Sequence, residues 1–201
     1  MSISKRDISK ILAKEFYDDT LYTYILPNDK TRLKALEEFF YCYTNMYPTG
    51  TIVSPSKDAQ AIGYIFYNKH NIKKSTQLYN LIKYSTKLIS MTKHISMKEF
   101  IRFGKAIYNN SSAWIDEFVK GEFIHIDLIV VDKKHRNKGL AKKIIKSVFE
   151  EADKENIVVT LETQNPQNVH IYKHFGFEVV KKQQYEKLTQ YCMIRKPNDK
   201  E

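Results

Sequence analysis

From Glu122 to Thr163 the chain reads strand, helix, strand, and this order constrains the fold more than any other feature. Glu122 to Val131 is rich in β-branched residues, which favour an extended strand. Gly139 to Glu155 carries apolar residues at helical spacing. Leu140, Ile144, Val148 and Ala152 form one row, and Ala141, Ile145 and Phe149 the next. Lys142, Lys143 and Lys146 fall on the other side. Ile157 to Thr163 is a second strand. A 17-residue crossover between strands predicts that the two lie parallel in one sheet.

The flanking sequence predicts an α/β (α+β) fold with a mixed sheet. Ser4 and Asp7 form a helix-start pattern, and Ile8, Ile11, Leu12 and Phe16 give a first helix to about Tyr17. Asn28 caps a second, with Leu33, Leu36, Phe40, Tyr43 and Tyr47 as its apolar stripe. Tyr47 to Gly50 is a turn. Thr51 to Ser54 and Ala59 to Tyr67 are strands of a hairpin closed by Pro55 to Asp58. Residues 69–120 are expected to be helical and irregular, with a capping box at Ser96 and Glu99. Pro166 to His174 is a short helix, and Phe177 to Val180 and Tyr191 to Ile194 are strands. No repeat or flexible linker interrupts the chain, so residues 1–201 are expected to form a single domain.

Composition narrows the function classes. An apolar share of 42% is that of a globular chain. Lys and Arg exceed Asp and Glu by 33 to 23, but the excess is spread along the whole chain. A focused basic patch is what nucleic-acid binding needs, so no nucleic-acid partner is expected. Cys42 and Cys192 are far apart and match no metal spacing. The opening residues lack the apolar core of a signal peptide, and the longest apolar run, Leu128 to Val131, cannot cross a bilayer. The expectation is a cytoplasmic protein with no membrane partner.

The loop between the first strand and the helix carries the chemistry. It runs Asp132, Lys133, Lys134, His135, Arg136, Asn137, Lys138, then Gly139, Leu140 and Ala141. A helix's first turn offers unpaired N–H groups and the positive end of the dipole, an anion site suited to a pyrophosphate. Gly139 lets a ligand approach the main chain, and Ala141 is the next smallest choice. Arg136, Lys138 and Lys142 can add charge-assisted contacts. The competing reading is an ordinary strand-to-helix turn with solvated lysines.

Arg136-x-x-Gly139-x-Ala141 resembles the Q/R-x-x-G-x-G/A pattern of the GNAT acetyltransferases, in the expected place after a strand and opening a helix. Asn168-x-x-x-Tyr172-x-x-x-Gly176-Phe177 resembles that family's second segment, at its usual separation. The two together span residues 122–180. More weakly, Ser4 to Pro27, Glu150 to Asp153 and Leu161 to Thr163 are similar to a bacterial subgroup. Asn137 stands where many relatives have Gly, and Lys133 where they have Pro. Asn tolerates left-handed backbone, so the loop is expected to keep its shape.

The resemblance implies a GNAT fold, in which a splayed parallel strand pair binds acetyl-coenzyme A as cosubstrate. An amine attacks the acetyl thioester directly. Ile129, Val130 and Val131 would offer main-chain groups to the pantetheine arm, with Leu161 to Gln164 on the far wall. Asn168 would contact the cofactor; a cap for the short helix is a compatible alternative. Tyr172 falls where the family places its general acid, although a packed aromatic is the plainer reading of any one Tyr. For the base, strand alternation puts His125, Asp127 and Ile129 on one face. His125 falls where some members carry a basic Glu, and Asp127 or Glu162 can act through water.

His170 and His174 are four apart but lack the Glu of a zinc protease, so no metal is expected. Trp114 and the aromatics between 64 and 118 are read as core, or as lining of an acceptor pocket. Three functional readings remain open. The first is acetylation of a small-molecule amine, with residues 69–120 as a helical insertion near the acceptor. The second is acetylation of a protein N-terminus or lysine. The third is a non-catalytic basic binding domain, against which the joint presence of Arg136, Gly139, Ala141, Asn168 and Tyr172 argues. Either a monomer or a homodimer fits.

Overall fold

The structure, a computed structural model, describes residues 3–47, 49–56, 58–69 and 74–198. The expected turn at Tyr47 to Gly50 and hairpin loop at Pro55 to Asp58 include Pro48 and Lys57, which lie outside the described residues. The chain divides into two compact units, residues 1–50 with 71–107 and residues 51–70 with 108–201.

The first unit is helical. Helix α1 (Lys5–Glu15) starts as predicted, with the Ser4 side chain accepting from Asp7 N–H. The sequence reading missed α2 (Thr20–Ile25), a six-residue helix capped by Asp19. Helix α3 (Asp29–Met46) is capped by Asn28. Helices α4 (Lys74–Leu88) and α5 (Met97–Asn109) follow, separated by a 3₁₀ turn at Ile89–Lys93. The Ser96–Glu99 capping box forms in both directions. Phe16, Tyr22, Phe39 and Phe40 pack edge and face on one another, and Leu12 and Leu36 are fully buried. Arg32 is buried here because its guanidinium donates to the carbonyls of Tyr17, Leu26 and Pro27. Those acceptors satisfy a charge that would otherwise be costly to bury.

The second unit is built on one six-stranded mixed sheet, as expected. Its strands are β1 (Thr51–Val53), β2 (Ala61–Tyr67), β3 (Phe123–Val131), β4 (Val158–Thr163), β5 (Glu178–Tyr185) and β6 (Leu188–Arg195). Their spatial order is β1-β2-β3-β4-β6-β5. The predicted crossover is α7 (Leu140–Glu155), and β3 and β4 are parallel; the other neighbouring pairs are antiparallel. A 3₁₀ turn at Ser112–Trp114, α6 (Ile115–Phe118) and α8 (Pro166–His174) complete the unit.

Strands β5 and β6 are longer than the sequence suggested. Their outer halves, Lys181 to Tyr185 and Leu188 to Gln190, carry mostly polar side chains, so apolar alternation could not reveal them. Main-chain pairing through Tyr185↔Leu188 extends them, closed by a two-residue turn with Glu186 at φ 51°.

One face of the sheet packs on α7 and α8 through Ile65, Ile124, Ile126, Val148, Val159, Leu161 and Met193. The other carries Phe123, Cys192 and Ile194 against Trp114 and Ile115. Arg195, at the end of β6, donates to both carboxylate oxygens of Asp153 on α7, at 2.8 and 2.9 Å. This two-pronged bond ties the helix to the sheet.

Gly63 on β2 sets how closely α7 sits. A Cβ there would lie 2.7 Å from Ile144 Cγ2, a methyl of a buried side chain on α7. Gly63→Ala is therefore expected to force helix from sheet and cost about 1–3 kcal/mol. A lowered urea midpoint with unchanged slope would show it; an unchanged midpoint would mean that the gap closes freely.

Between β2 and β3 the register slips. Tyr64 pairs with Leu128 and Ile65 with Ile126, which leaves Asp127 as an extra residue on β3. This bulge corrects the simple alternation. His125 and Asp127 still share a face, with Nε2 and Oδ1 3.9 Å apart. Ile129, opposite Gly63, packs into the cluster on the α7 side instead.

Candidate active site

The loop after β3 is held by its own main chain. Asp132 N–H donates to Gln60 O, and the Asp132 carboxylate caps the 3₁₀ turn Lys133–His135. Arg136 Nε donates to Val131 O at 3.2 Å. Asn137 adopts φ 62°, the left-handed conformation expected of it in place of Gly. Gly139 is the N-cap of α7 at φ 73°, ψ 13°, and brings no capping side chain. A Cβ built on Gly139 meets nothing within 4 Å, so open space lies over the first turn. Arg136, Asn137 and Lys138 are exposed there, while Leu140 and Ala141 are half-buried. An uncapped helix start, open space and two cations fit a diphosphate.

The parallel strands part in front of this loop. β3 and β4 pair from Phe123↔Val158 to Ile126↔Leu161, and no further. Beyond that point β3 runs on through Val131 paired only with β2, and β4 runs through Thr163 paired with β6. The edge of β3 from Asp127 to Val131 thus faces a cleft. Ile129, Val130 and Val131 lie along it.

Helix α8 begins just after β4. Its cap is Asn165, which accepts from Gln167 N–H with Pro166 in the first turn. The cap expected as an alternative role of Asn168 therefore belongs to Asn165. Asn168 lies within the helix, its Nδ2 3.5 Å from Thr163 Oγ1. Tyr172 is half-buried and meets the Phe177 ring edge-on at 5.9 Å. Its carbonyl accepts from Phe177 N–H, while Gly176 at φ 86° turns the chain out of the helix. His170 and His174 are exposed.

The sheet's other face brings together all three candidate bases. His125, only 4% exposed, places Nε2 3.6 Å from Glu162 Oε1 and 3.9 Å from Asp127 Oδ1. Its Nδ1 lies 2.9 Å from Thr160 Oγ1, the residue opposite it on β4. Burial pulls the imidazole's pKa down. The Glu162 carboxylate, helped by Asp127, more than offsets that, and His125 ends above its ordinary value. For Glu162, burial pushes upward, but His125 and then the Ser112 and Trp114 donors outweigh it and hold the carboxylate below its ordinary range. Each partner thus favours the charged form of the other. A His nitrogen and two carboxylate oxygens lie within 4.8 Å of one another, a set that a divalent ion also fits.

Ser112 and Trp114 were not foreseen as partners of this group. Ser112 Oγ donates to Glu162 Oε1 at 2.5 Å, and Trp114 Nε1 donates to Oε2 at 3.0 Å. They stand 50 and 48 residues before Glu162, so no local spacing could reveal the contact. Among the described residues no helix is long and apolar enough to cross a membrane.

Comparison with known proteins agrees with this geometry. No curated protein sequence matches the chain. The structure resembles that of the histone acetyltransferase HPA2 and related acetyltransferase from Corynebacterium glutamicum, with a TM-score of 0.65 and 11% identity, over 100% of this chain and 95% of that one. It also resembles arylalkylamine N-acetyltransferase 2 from Aedes aegypti, with a TM-score of 0.55 and 15% identity, over 98% of each chain. At such identities the likeness shows the fold. Residues 66–195 match the acetyltransferase (GNAT) domain family, well over half the chain. The two sequence segments, the parted strands and this match agree: the chain belongs to the GNAT acetyltransferases, a family of acyltransferases.

Proposed function

We propose that the protein transfers an acetyl group from acetyl-coenzyme A to the primary amine of a small molecule by direct attack. The observation that carries this reading is the parting of β3 from β4 immediately before the uncapped start of α7. Acetyl-coenzyme A would supply an activated acyl carbon and a diphosphate handle. The amides of Gly139, Leu140 and Ala141 and the charges of Arg136 and Lys138 bind that handle, with Asn137 shaping the loop. Main-chain groups of Ile129, Val130 and Val131 hold the arm in the cleft, and Asn168 lines its other side. Holding the two reactants in register supplies much of the rate.

Two protons then move. The amine nitrogen gives one to Nε2 of His125, with Asp127 and Glu162 fixing the charge that results. Tyr172 gives one to the departing sulfur; a phenol of pKa about 10 is matched to a thiol near about 8.5. Burial of His125 to 4% exposure favours a small acceptor over a protein chain, which needs an open groove.

Two measurements test this. Calorimetric titration with desulfo-coenzyme A is expected to show one site. Thiol release from acetyl-coenzyme A is expected with members of a panel of small amines, and not with lysine or N-terminal peptides. Silence at millimolar desulfo-coenzyme A would remove the cofactor site, and turnover of peptides alone would reverse the choice of acceptor.

A further inference from the structure

Glu162 is held at both oxygens from one three-residue turn. Ser112 and Trp114 sit at the two ends of the 3₁₀ turn Ser112–Trp114, which precedes β3. Each donates to a different oxygen of Glu162. The turn is itself fixed. Trp114 is 2% exposed and packs with Ile115 and Cys192, and Gln190 Nε2 donates to Ser111 O at 3.3 Å. A carboxylate gripped this way cannot rotate away from His125.

His125 is oriented from the opposite side. Thr160 Oγ1 lies 3.5 Å from the Ile124 carbonyl, to which it donates, so towards His125 it accepts from Nδ1–H. That arrangement leaves Nε2 as the atom that exchanges a proton. Nε2 faces Glu162 Oε1 and lies 3.3 Å from Ser112 Oγ. The titratable neighbours are Asp127 on β3, Glu162 on β4 and, opposite Glu162 on β6, Cys192. Burial pushes the Cys192 thiol up to about 12, so it stays neutral while His125 titrates.

We propose that Ser112 and Trp114 are positioning residues of the acetyl transfer, which clamp the Glu162 carboxylate against His125 so that Nε2 stays aimed for the amine's proton. This rests on the reading of His125 as the base. Neither residue needs to touch substrate. The sign of the effect follows from charge. The nearby carboxylate holds the imidazolium form, so His125 becomes a proton acceptor only as pH rises past its raised value. Releasing the carboxylate lets burial dominate, and the acidic limb of kcat/KM moves to lower pH.

The test is the pH profile of kcat/KM, with an amine accepted by the wild-type protein, for Ser112→Ala, Ser112→Thr and Trp114→Phe. Trp114→Phe keeps an aromatic ring and removes the donor. Ser112→Ala and Trp114→Phe are each expected to move the acidic limb down and to lower kcat about tenfold, the worth of one hydrogen bond to a charged group. Ser112→Thr, which keeps the hydroxyl, retains the wild-type limb. Desulfo-coenzyme A affinity stays unchanged in all three, which also reports that they fold. Lower rates with the limb unmoved in both Ser112→Ala and Trp114→Phe would overturn the proposal and leave a packing role. If Trp114→Phe fails to fold, the Ser112→Ala and Ser112→Thr pair decides. His125→Ala separates the two ideas. An acidic limb kept in that variant removes His125 as the base, whereas a limb lost there but unmoved in the Ser112 and Trp114 variants removes only the clamp.

Discussion

Gly139→Glu abolishes coenzyme A binding and leaves the protein folded. The expectation follows from three observations at one residue. Gly139 starts α7, its main chain takes φ 73°, and nothing lies within 4 Å of where a Cβ would point. A glutamate therefore meets no protein neighbour, but it projects into the space assigned to the diphosphate. Two like charges roughly 5 Å apart repel by about 3 kcal/mol at an effective dielectric of about 20, which alone lowers affinity about a hundredfold. Left-handed backbone at a non-Gly residue adds about 1–3 kcal/mol of strain. Gly139→Ala carries that strain without the charge, so it should weaken binding less. Calorimetry with desulfo-coenzyme A and a thermal melt separate the outcomes. Wild-type affinity in Gly139→Glu would place the diphosphate elsewhere.

Tyr172→Phe lowers kcat by about a hundredfold, the low end of what a positioned proton donor contributes, and leaves cofactor affinity nearly unchanged. The ring's edge-on contact with Phe177 does not need the hydroxyl, so the variant keeps its packing in α8. Single-turnover rates and calorimetry distinguish a chemical role from a structural one. Equal losses in rate and affinity would mean that the ring only packs.

The parts of this fold legible in the sequence are those written in local chemistry. Ser4, Asn28 and the Ser96–Glu99 pair announced their helix starts because capping is a short-range bond. The α7 stripe and its crossover length announced the parallel pair. Left-handed tolerance at Asn137 was readable from residue type alone. Long-range bonds were not readable. Ser112 and Trp114 reach Glu162 only after the sheet has formed, and Arg32 gains its carbonyl acceptors only when α2 has turned back. The outer halves of β5 and β6 are paired through main chain that any side chains can accompany. Asn168 was read as a possible cap because it follows Pro166, but the geometry of a proline in the first turn puts the cap one residue before it, at Asn165.

The surplus residue at Asp127 divides β3 into two stretches of opposite parity. Before it, odd-numbered side chains look toward Trp114; after it, they look toward α7. A gapless alignment with a relative lacking the insertion would mistake inward positions for outward ones from Leu128 onward. Engineering of the acceptor side must therefore count positions from Asp127, not from the strand's first residue.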